Sequence, residues 1–435
     1  RVQRRLFCFL FLQWEYNVAV ETCDVFTSLA RRIRSAAEKR PGAGTVFIAI
    51  YNAIQGMKGK IKWLCCIALP LMARVHLGIE EFTTGSEAAH YSKAKVALIA
   101  NQTSVAPDGK TTQQLLESVG ITVVALFAPE HGPTGSQYAN ETVDSHLGPI
   151  PIYSLHGASK RPTDDMLRGV THIAFDIQDI GVRSYTYAST LFYTMEEAAK
   201  RHIPCLVFDR PNPLGGLYVE GPLLEEAYRS FIGYLSIPYC HGMTIGELAR
   251  FFNSEYHIGC DLRVIPMKGW RRSMRFTETQ LPWTPTSPHI PEAETPLYYA
   301  TTGIIGELGM VSIGVGYTLP FKLIGAPWID AESFAMHLNR QNLPGVRFAP
   351  FHFRPYYGRF KGELCHGVFI HITDKSSFRP LSTQYLLLGM IKSLYPAEWK
   401  RGIGALTKTK RDLFTKVNGS ETVLELLEKE PYAAW

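Results

Sequence analysis

From Lys95 onward the sequence alternates short apolar, β-branched runs with segments of helical spacing, and this rhythm restricts the fold more than any other feature. Residues 96–100, 122–128, 150–155, 172–177, 204–209 and 262–266 read as strands. Residues 111–119, 187–201 and 244–253 read as helices, and Thr163 is placed to cap a short one with Asp164 and Asp165 in its first turn. Strands and helices in alternation predict an α/β fold, a mostly parallel sheet with helices on both faces. The proline-dense stretch 281–296 reads as a connection. Beyond it a helix at 329–339, a strand at 367–373 and a helix at 381–395 describe a smaller C-terminal α/β domain.

In such sheets ligands gather beyond the carboxyl ends of the strands. Polar residues crowd those ends here: Asn101 after the first strand, Glu130 and His131 after the second, Asp176, Gln178 and Asp179 after the fourth, and Asp209, Arg210 and Asn212 after the fifth. The first strand runs into Asn101-Gln102-Thr103-Ser104, not into the glycine-rich turn that a pyrophosphate needs, which speaks against a dinucleotide enzyme. We expect no cofactor and no metal. His131 and His241 match no metal-ligand spacing, and Cys205, Cys240, Cys260 and Cys365 form no zinc-type pair. The net charge of +6 comes without a dense mid-chain run of Lys and Arg, so it carries no nucleic-acid signature.

Glu130 stands between Pro129 and His131, a stiff turn beside an imidazole that suits acid–base work. The plain alternative is a carboxylate capping a loop. Glu196 is expected at the margin of its helix's apolar face, with Glu197 pointing elsewhere. An exposed acidic pair is the competing reading. Asp176, Asp179 and Arg183 can form a charged network around Gln178, with Tyr185 and Tyr187 supplying aromatic faces for a sugar; structural networks look the same. His241 precedes a helix start, where it can serve an anionic group. Trp270, Trp283, Tyr298 and Tyr299 lie in irregular, proline-rich sequence and suit either stacking or packing.

At the other end, Met57 is followed by Lys58, Lys60 and Lys62 and then by the apolar run 63–73. A charged start, a short apolar middle and a small terminal residue describe a secretory signal peptide, too short to span a bilayer. We therefore expect residues 1–56 to be an upstream extension outside the fold, 57–73 a signal peptide, and the protein to be exported, periplasmic or secreted, with no further membrane insertion. The fold then divides into 74–285 and 286–435.

The ordered motifs go further. Leu126-Phe127-Ala128-Pro129-Glu130-His131-Gly132, Phe175-Asp176-Ile177-Gln178-Asp179-Ile180-Gly181-Val182-Arg183, Asp209-Arg210-Pro211-Asn212-Pro213-Leu214-Gly215-Gly216, Val219-Glu220-Gly221-Pro222, His241-Gly242-Met243-Thr244, Pro266-Met267-Lys268-Gly269-Trp270 and Gly325-Ala326-Pro327-Trp328 resemble the NamZ-type exo-β-N-acetylmuramidases. The resemblance runs from about residue 75 to about 395. It implies a Rossmann-like domain and a smaller C-terminal domain closing an active-site cleft. It implies hydrolysis of peptidoglycan fragments to release a non-reducing-end N-acetylmuramic acid. It also implies two catalytic glutamates, matched here by Glu130 and Glu196, with Glu220, Trp270 and Glu307 joining the substrate-binding set. One region departs from the family pattern: an Asn, a second Glu and two Arg are replaced by Met310, Ile313, Val315 and Leu319, which removes the natural partners of a lactyl carboxylate. His289 stands where the family tends to have Asn. That departure motivates the rival reading, a non-catalytic exported protein that binds peptidoglycan fragments.

Overall fold

The computed structural model describes residues 74–136 and 150–429. The expected upstream extension and signal peptide lie outside them. Helix α1 (Gly78–Thr84) leads into β1 (Lys95–Ala100), α2 (Thr112–Ser118), β2 (Thr122–Ala128), β3 (Ile152–Ser154), β4 (His172–Asp176), α3 (Thr186–Lys200), β5 (Cys205–Phe208), α4 (Ile245–Glu255) and β6 (Leu262–Ile265). The strands form one sheet in the order β3-β2-β1-β4-β5-β6, every pair parallel.

Side-chain alternation along these strands divides the core between the two faces. Ala97, Ile99, Phe127, Phe175 and Val207 pack with Leu191, Phe192 and Met195 of α3 and with Leu248 and Phe252 of α4. Val96, Leu98, Val123, Leu206 and Phe208 face the other way, onto Ile79 and Phe82 of α1 and Leu116 of α2. The helices on both faces follow from this. The short helix expected at Thr163 does not form; residues 164–169 make turns, with Arg168 paired to Asp165.

The C-terminal part holds α5 (Thr295–Leu308), β7 (Leu323–Ala326), α6 (Ala331–Arg340), β8 (Val346–Phe353), β9 (Cys365–Ile372), α7 (Pro380–Leu394), α8 (Pro396–Gly404), α9 (Lys408–Asn418) and α10 (Thr422–Lys429). Its three strands run antiparallel in the order β7-β9-β8. The core on the α3 face continues without a break into Ile324, Phe334, Val368 and Leu387, so the two parts share one hydrophobic interior. Among the described residues no helix is long and apolar enough to cross a membrane.

Arg183 pins the two parts together. Its guanidinium donates to the carbonyls of Pro222 and Ile237 and to those of Val417 and Asn418 at the carboxyl end of α9 (2.5–3.2 Å), the negative end of that helix. Burial without a carboxylate partner lowers its pKa to about 10. The expected network with Asp176 and Asp179 is therefore corrected: Arg183 is committed to backbone carbonyls and is not free for a substrate. Replacing it with Met leaves four carbonyls with a donor removed. We expect a loss of about 3 kcal/mol, read as a lower urea midpoint at unchanged slope.

Candidate active site

The strand order reverses between β1 and β4, and the crevice for a ligand opens at such a point. Asn101 closes β1 there. Its Oδ1 accepts from the N–H and hydroxyl of Thr103, while its Nδ2, in a side chain only 6% exposed, has no hydrogen-bond partner. A buried donor left open at a switch point is placed to meet a ligand acceptor.

Glu130 lies beside this position, at the turn after β2. One carboxylate oxygen accepts from the Thr186 hydroxyl at 2.6 Å, the first residue of α3, where the backbone N–H groups have no partners within the helix. The other oxygen lies 3.6 Å from Nε2 of His156, which follows β3. The two side chains keep 14% and 10% of their exposure, enough to reach solvent and too little to float in it. His131 adopts φ 69°, a left-handed conformation that turns the chain sharply next to Glu130.

Two more histidines complete the surroundings. Burial and the neighbouring Lys160 and His131 lower the pKa of His156, against the pull of Glu130. Burial and His131 lower that of His289, whose Nε2 lies 2.5 Å from the Tyr357 hydroxyl. Tyr357 belongs to the loop after β8, so both parts of the fold reach this place. Neutral imidazoles beside a carboxylate can carry a hydrogen bond or a proton without competing as permanent cations.

A second carboxyl that, like Glu130, acts on the Tyr299 hydroxyl comes from α5. Tyr299, Gly303 and Glu307 recur every four residues and share one face of that helix. The Tyr299 ring lies over Gly303, where an added Cβ would sit 3.4 Å from it. Its hydroxyl is 3.5 Å from Ser184 Oγ, two residues before Thr186. Burial raises Tyr299 to about 12, and both Glu307 and Glu130 push the same way. Burial also pushes Glu307 up to about 7, against the pull of Lys410. A carboxyl that keeps its proton near neutrality is a ready general acid.

Glu196 does not join this group, which corrects the expected pairing with Glu130. It lies ten residues beyond Thr186 on the same helix, about 15 Å along the axis at 1.5 Å per residue. Glycosidase carboxyls stand about 5 to 9.5 Å apart. Glu196 is occupied by Arg161 at 2.5 Å and by the Tyr234 hydroxyl at 2.6 Å. Glu197, not Glu196, is the more buried of the two, held by Arg161, Lys200 and Arg201. Glu196→Gln is expected to change kcat less than threefold and to cost about 1 kcal/mol of stability; kinetics and a melt on one preparation check both.

Most of the remaining strand-end residues are spent inside the fold. Asp176, fully buried, takes a two-pronged contact from Arg210 (2.5 and 2.9 Å) and the Thr112 hydroxyl. Asp209 accepts from the N–H of Gly246 and the Thr244 hydroxyl at the start of α4, and burial raises it to about 6. Asn212 bridges the N–H of Leu214 and the carbonyl of Met243, pressed so closely on Gly181 (φ 86°) that a Cβ there would lie 2.2 Å from its oxygen. Glu220 accepts from the N–H of Leu381 in the first turn of α7. His241 is buried and lowered to about 3, accepts from the N–H of Met243, and lies 3.8 Å from Asp179, itself raised to about 7 by burial. It is therefore no cation for an anionic substrate. Tyr185 and Tyr187 donate to Thr286, at its hydroxyl and its carbonyl (2.9 and 2.5 Å), and present no open face for stacking. These nine side chains, expected to bind substrate, are corrected to structural anchors of the loops around the crevice.

Gln178 is different. Its amide donates to the carbonyls of Asp179 and Pro211, while its oxygen is buried and unpartnered beside a small pocket shared with Thr103 and Arg210. Trp270 is half-buried in the loop after β6 with its indole N–H unpartnered, and no contact ties it to Glu130. Among the described residues no group of three His, Cys, Asp or Glu is arranged to hold a metal. His156 and Thr186 were not singled out by sequence reasoning. The signal for His156 was its place after β3, on the edge that already held Asn101 and Glu130.

The departing segment has become packing. Ile313 is buried against Gly306 of α5 and Met310 against Gly402 of α8. Leu319 packs on the Leu323, Phe353 and Cys365 cluster under the C-terminal sheet.

Comparisons with known proteins identify the family and the fold. The N-terminal signature of the exo-β-N-acetylmuramidase NamZ family matches residues 96–294 and its C-terminal signature residues 297–434. The peptidoglycan β-N-acetylmuramidase NamZ of Bacillus subtilis (strain 168) is 44% identical over 310 residues, 70% of this chain and 75% of that protein. A crystal structure of a DUF1343 family protein from Bacteroides fragilis NCTC 9343 superposes with a TM-score of 0.77 at 39% identity, covering 82% of this chain and 92% of the other. A second such protein from the same organism gives 0.58 at 28% identity, with coverages of 82% and 91%.

Proposed function

Because the chain belongs to the NamZ family of exo-β-N-acetylmuramidases, we propose that it is a glycosidase that hydrolyses the bond holding a terminal N-acetylmuramic acid on peptidoglycan fragments. The observation that carries this reading is Glu130, held by Thr186 at the start of α3 and flanked by His156 at the sheet's open edge. A carboxylate so fixed can attack an anomeric carbon, orient a substrate acetamido group or activate a water. Glu307, whose proton is retained up to about pH 7, supplies the proton to the leaving oxygen. Both carboxyls act on Tyr299, which burial keeps a neutral hydroxyl. Asn101 Nδ2 offers a donor to the bound sugar.

Incubation of the protein with defined muropeptides, followed by mass spectrometry, tests the reading. Free N-acetylmuramic acid and a fragment shortened by that residue are expected. Calorimetric binding of the same muropeptides with no product after hours would favour the non-catalytic binding protein instead. Met57, the lysines behind it and the apolar run 63–73 support export to the periplasm or beyond. Expression from Met57 should yield a mature chain that lacks the run and is found outside the cytoplasm; retention of full-length chain in the cytoplasm contradicts export.

A further inference from the structure

The β7-β9-β8 sheet has one covered face and one that is largely open. α6 lies on the first, where Asn339 bonds the N–H and the carbonyl of Phe348, and Val346, Val368 and Ile370 are sealed. Alternation and register put Arg347 and Phe351 together with Phe369 and His371 on the second. That face is closed at its Phe353 end, by the cluster with Leu323 and Cys365. Phe351 and Phe369 are only half-buried. Along the open part the rings follow one another in file. Between centroids, His371 lies 4.4 Å from Phe369, Phe369 6.0 Å from Phe351, and Phe351 6.4 Å from Tyr317. Tyr317 lies 5.9 Å from Tyr356, nearly parallel to it at 17°. Tyr356 is 67% exposed. A run of rings left to solvent marks a surface that binds something.

The row leads to the candidate active site. Tyr357 follows Tyr356, and its hydroxyl meets Nε2 of His289 at 2.5 Å. His289 neighbours His131, which follows Glu130. The loops that carry the row are fixed against each other. Gly316, at φ 92°, presses on the Tyr357 carbonyl with no room for a Cβ, and its own carbonyl accepts from the Tyr356 N–H at 2.7 Å. Rings held in this way lose little freedom when a ligand arrives. We propose that the row carries the glycan strand beyond the bond to be cut, its rings stacking on the apolar faces of successive sugars. This rests on the hydrolase reading above and adds to it a binding surface on the C-terminal sheet. Continuity with the site of cleavage favours a sugar strand over an apolar protein partner. So does the arrangement in file, where a protein interface would gather its rings around a sealed centre. Exposed Arg347 stands across the strands from His371, a cation for the lactyl carboxylates that recur along such a strand.

The test compares release of muramic acid from a peptide-free disaccharide and from a long peptide-free strand. In the parent protein KM is expected to be about tenfold lower on the strand. With Tyr356→Ala and Phe351→Thr combined, the two KM values are expected to come within about twofold of each other. Tyr356→Ala alone, at a position too exposed to endanger folding, should reduce the advantage of the strand about threefold. Equal KM values in the parent, or an advantage that neither variant moves, overturns the proposal. Calorimetry of the Glu130→Gln protein reads the strand without turnover, and binding that weakens about tenfold on adding the two ring substitutions supports the row. A dimer in sedimentation that Tyr356→Ala dissolves assigns this face to a second copy of the chain and overturns the glycan assignment. Absence of muramic acid release from both substrates refutes the hydrolase reading instead, and calorimetry with the strand then decides the row alone.

Discussion

Glu130→Gln is expected to lower kcat by about a thousandfold on a peptidoglycan fragment, with the melting temperature within about 3 °C of the parent protein. Gln keeps an oxygen that can accept from the Thr186 hydroxyl, now 2.6 Å from the carboxylate, so the start of α3 is not disturbed. What disappears is the charge that faces His156 at 3.6 Å. That pair is largely shielded, and its contribution to folding is modest beside its contribution to a transition state of oxocarbenium character. Near-normal turnover by the variant would remove Glu130 from the mechanism. A collapse of the melting temperature would mean that the turn after β2 holds the fold rather than the substrate.

The second large effect belongs to Glu307→Gln. Burial raises the Glu307 carboxyl to about 7, so the protonated acid is available below that pH and is lost above it. The parent enzyme is expected to lose kcat/KM as pH rises through about 7. The variant is expected to be slower by about a hundredfold or more at pH 6 and to lack that alkaline limb. Stability falls over the same range of rising pH. An ordinary glutamate ionises near 4.3. The folded protein holds the proton to a higher pH than the unfolded chain does, so its stability is undiminished below about 4 and declines as pH rises toward 7. Gln carries no such cost. At pH 8 the variant should therefore be more stable than the parent, by about 2 kcal/mol, and at pH 4 the two should be nearly equal. A variant less stable at both values would show that the carboxyl is satisfied by partners that Gln cannot replace.

The sheet was legible because its strands are buried on both faces and read as short apolar runs between helices. The edge that collects Asn101, Glu130 and Gln178 followed from the same pattern. Other features were hidden for identifiable reasons. β8 carries Pro350 in its middle and exposes both Arg347 and His352, five residues apart and so on opposite faces, which breaks the alternation of a strand; among the described residues it pairs only with β9, and an edge strand tolerates a proline. α5 begins at Thr295-Pro296, inside what reads as a proline-rich connection, because proline is well placed in a first helical turn. Its buried residues surround the axis, which erases the helical period.

The misjudged side chains share one cause. Polar residues at strand ends look alike in sequence whether they face a ligand or the backbone of the next loop. Asp209 and Asn212 turn to N–H groups of neighbouring loops, Arg183 reaches the end of α9 more than two hundred residues away, and Glu196 meets Arg161 from a loop. Only the contacts made across the fold separate these from Asn101 and Glu130. Glu307 shows the converse. Its sequence position was notable for the motif around it, whereas its chemical character arises from the packing of α5 against both parts of the protein.

The division of labour between the two carboxyls is tested most directly by varying the leaving group. A β-linked N-acetylmuramide of a nitrophenol departs without protonation, whereas a sugar does not. Glu307→Gln is expected to cleave the nitrophenyl glycoside within about tenfold of the parent rate while losing at least a hundredfold on the natural linkage, and Glu130→Gln to lose about a thousandfold on both. Equal losses on the two substrates for Glu307→Gln would contradict its assignment as the acid.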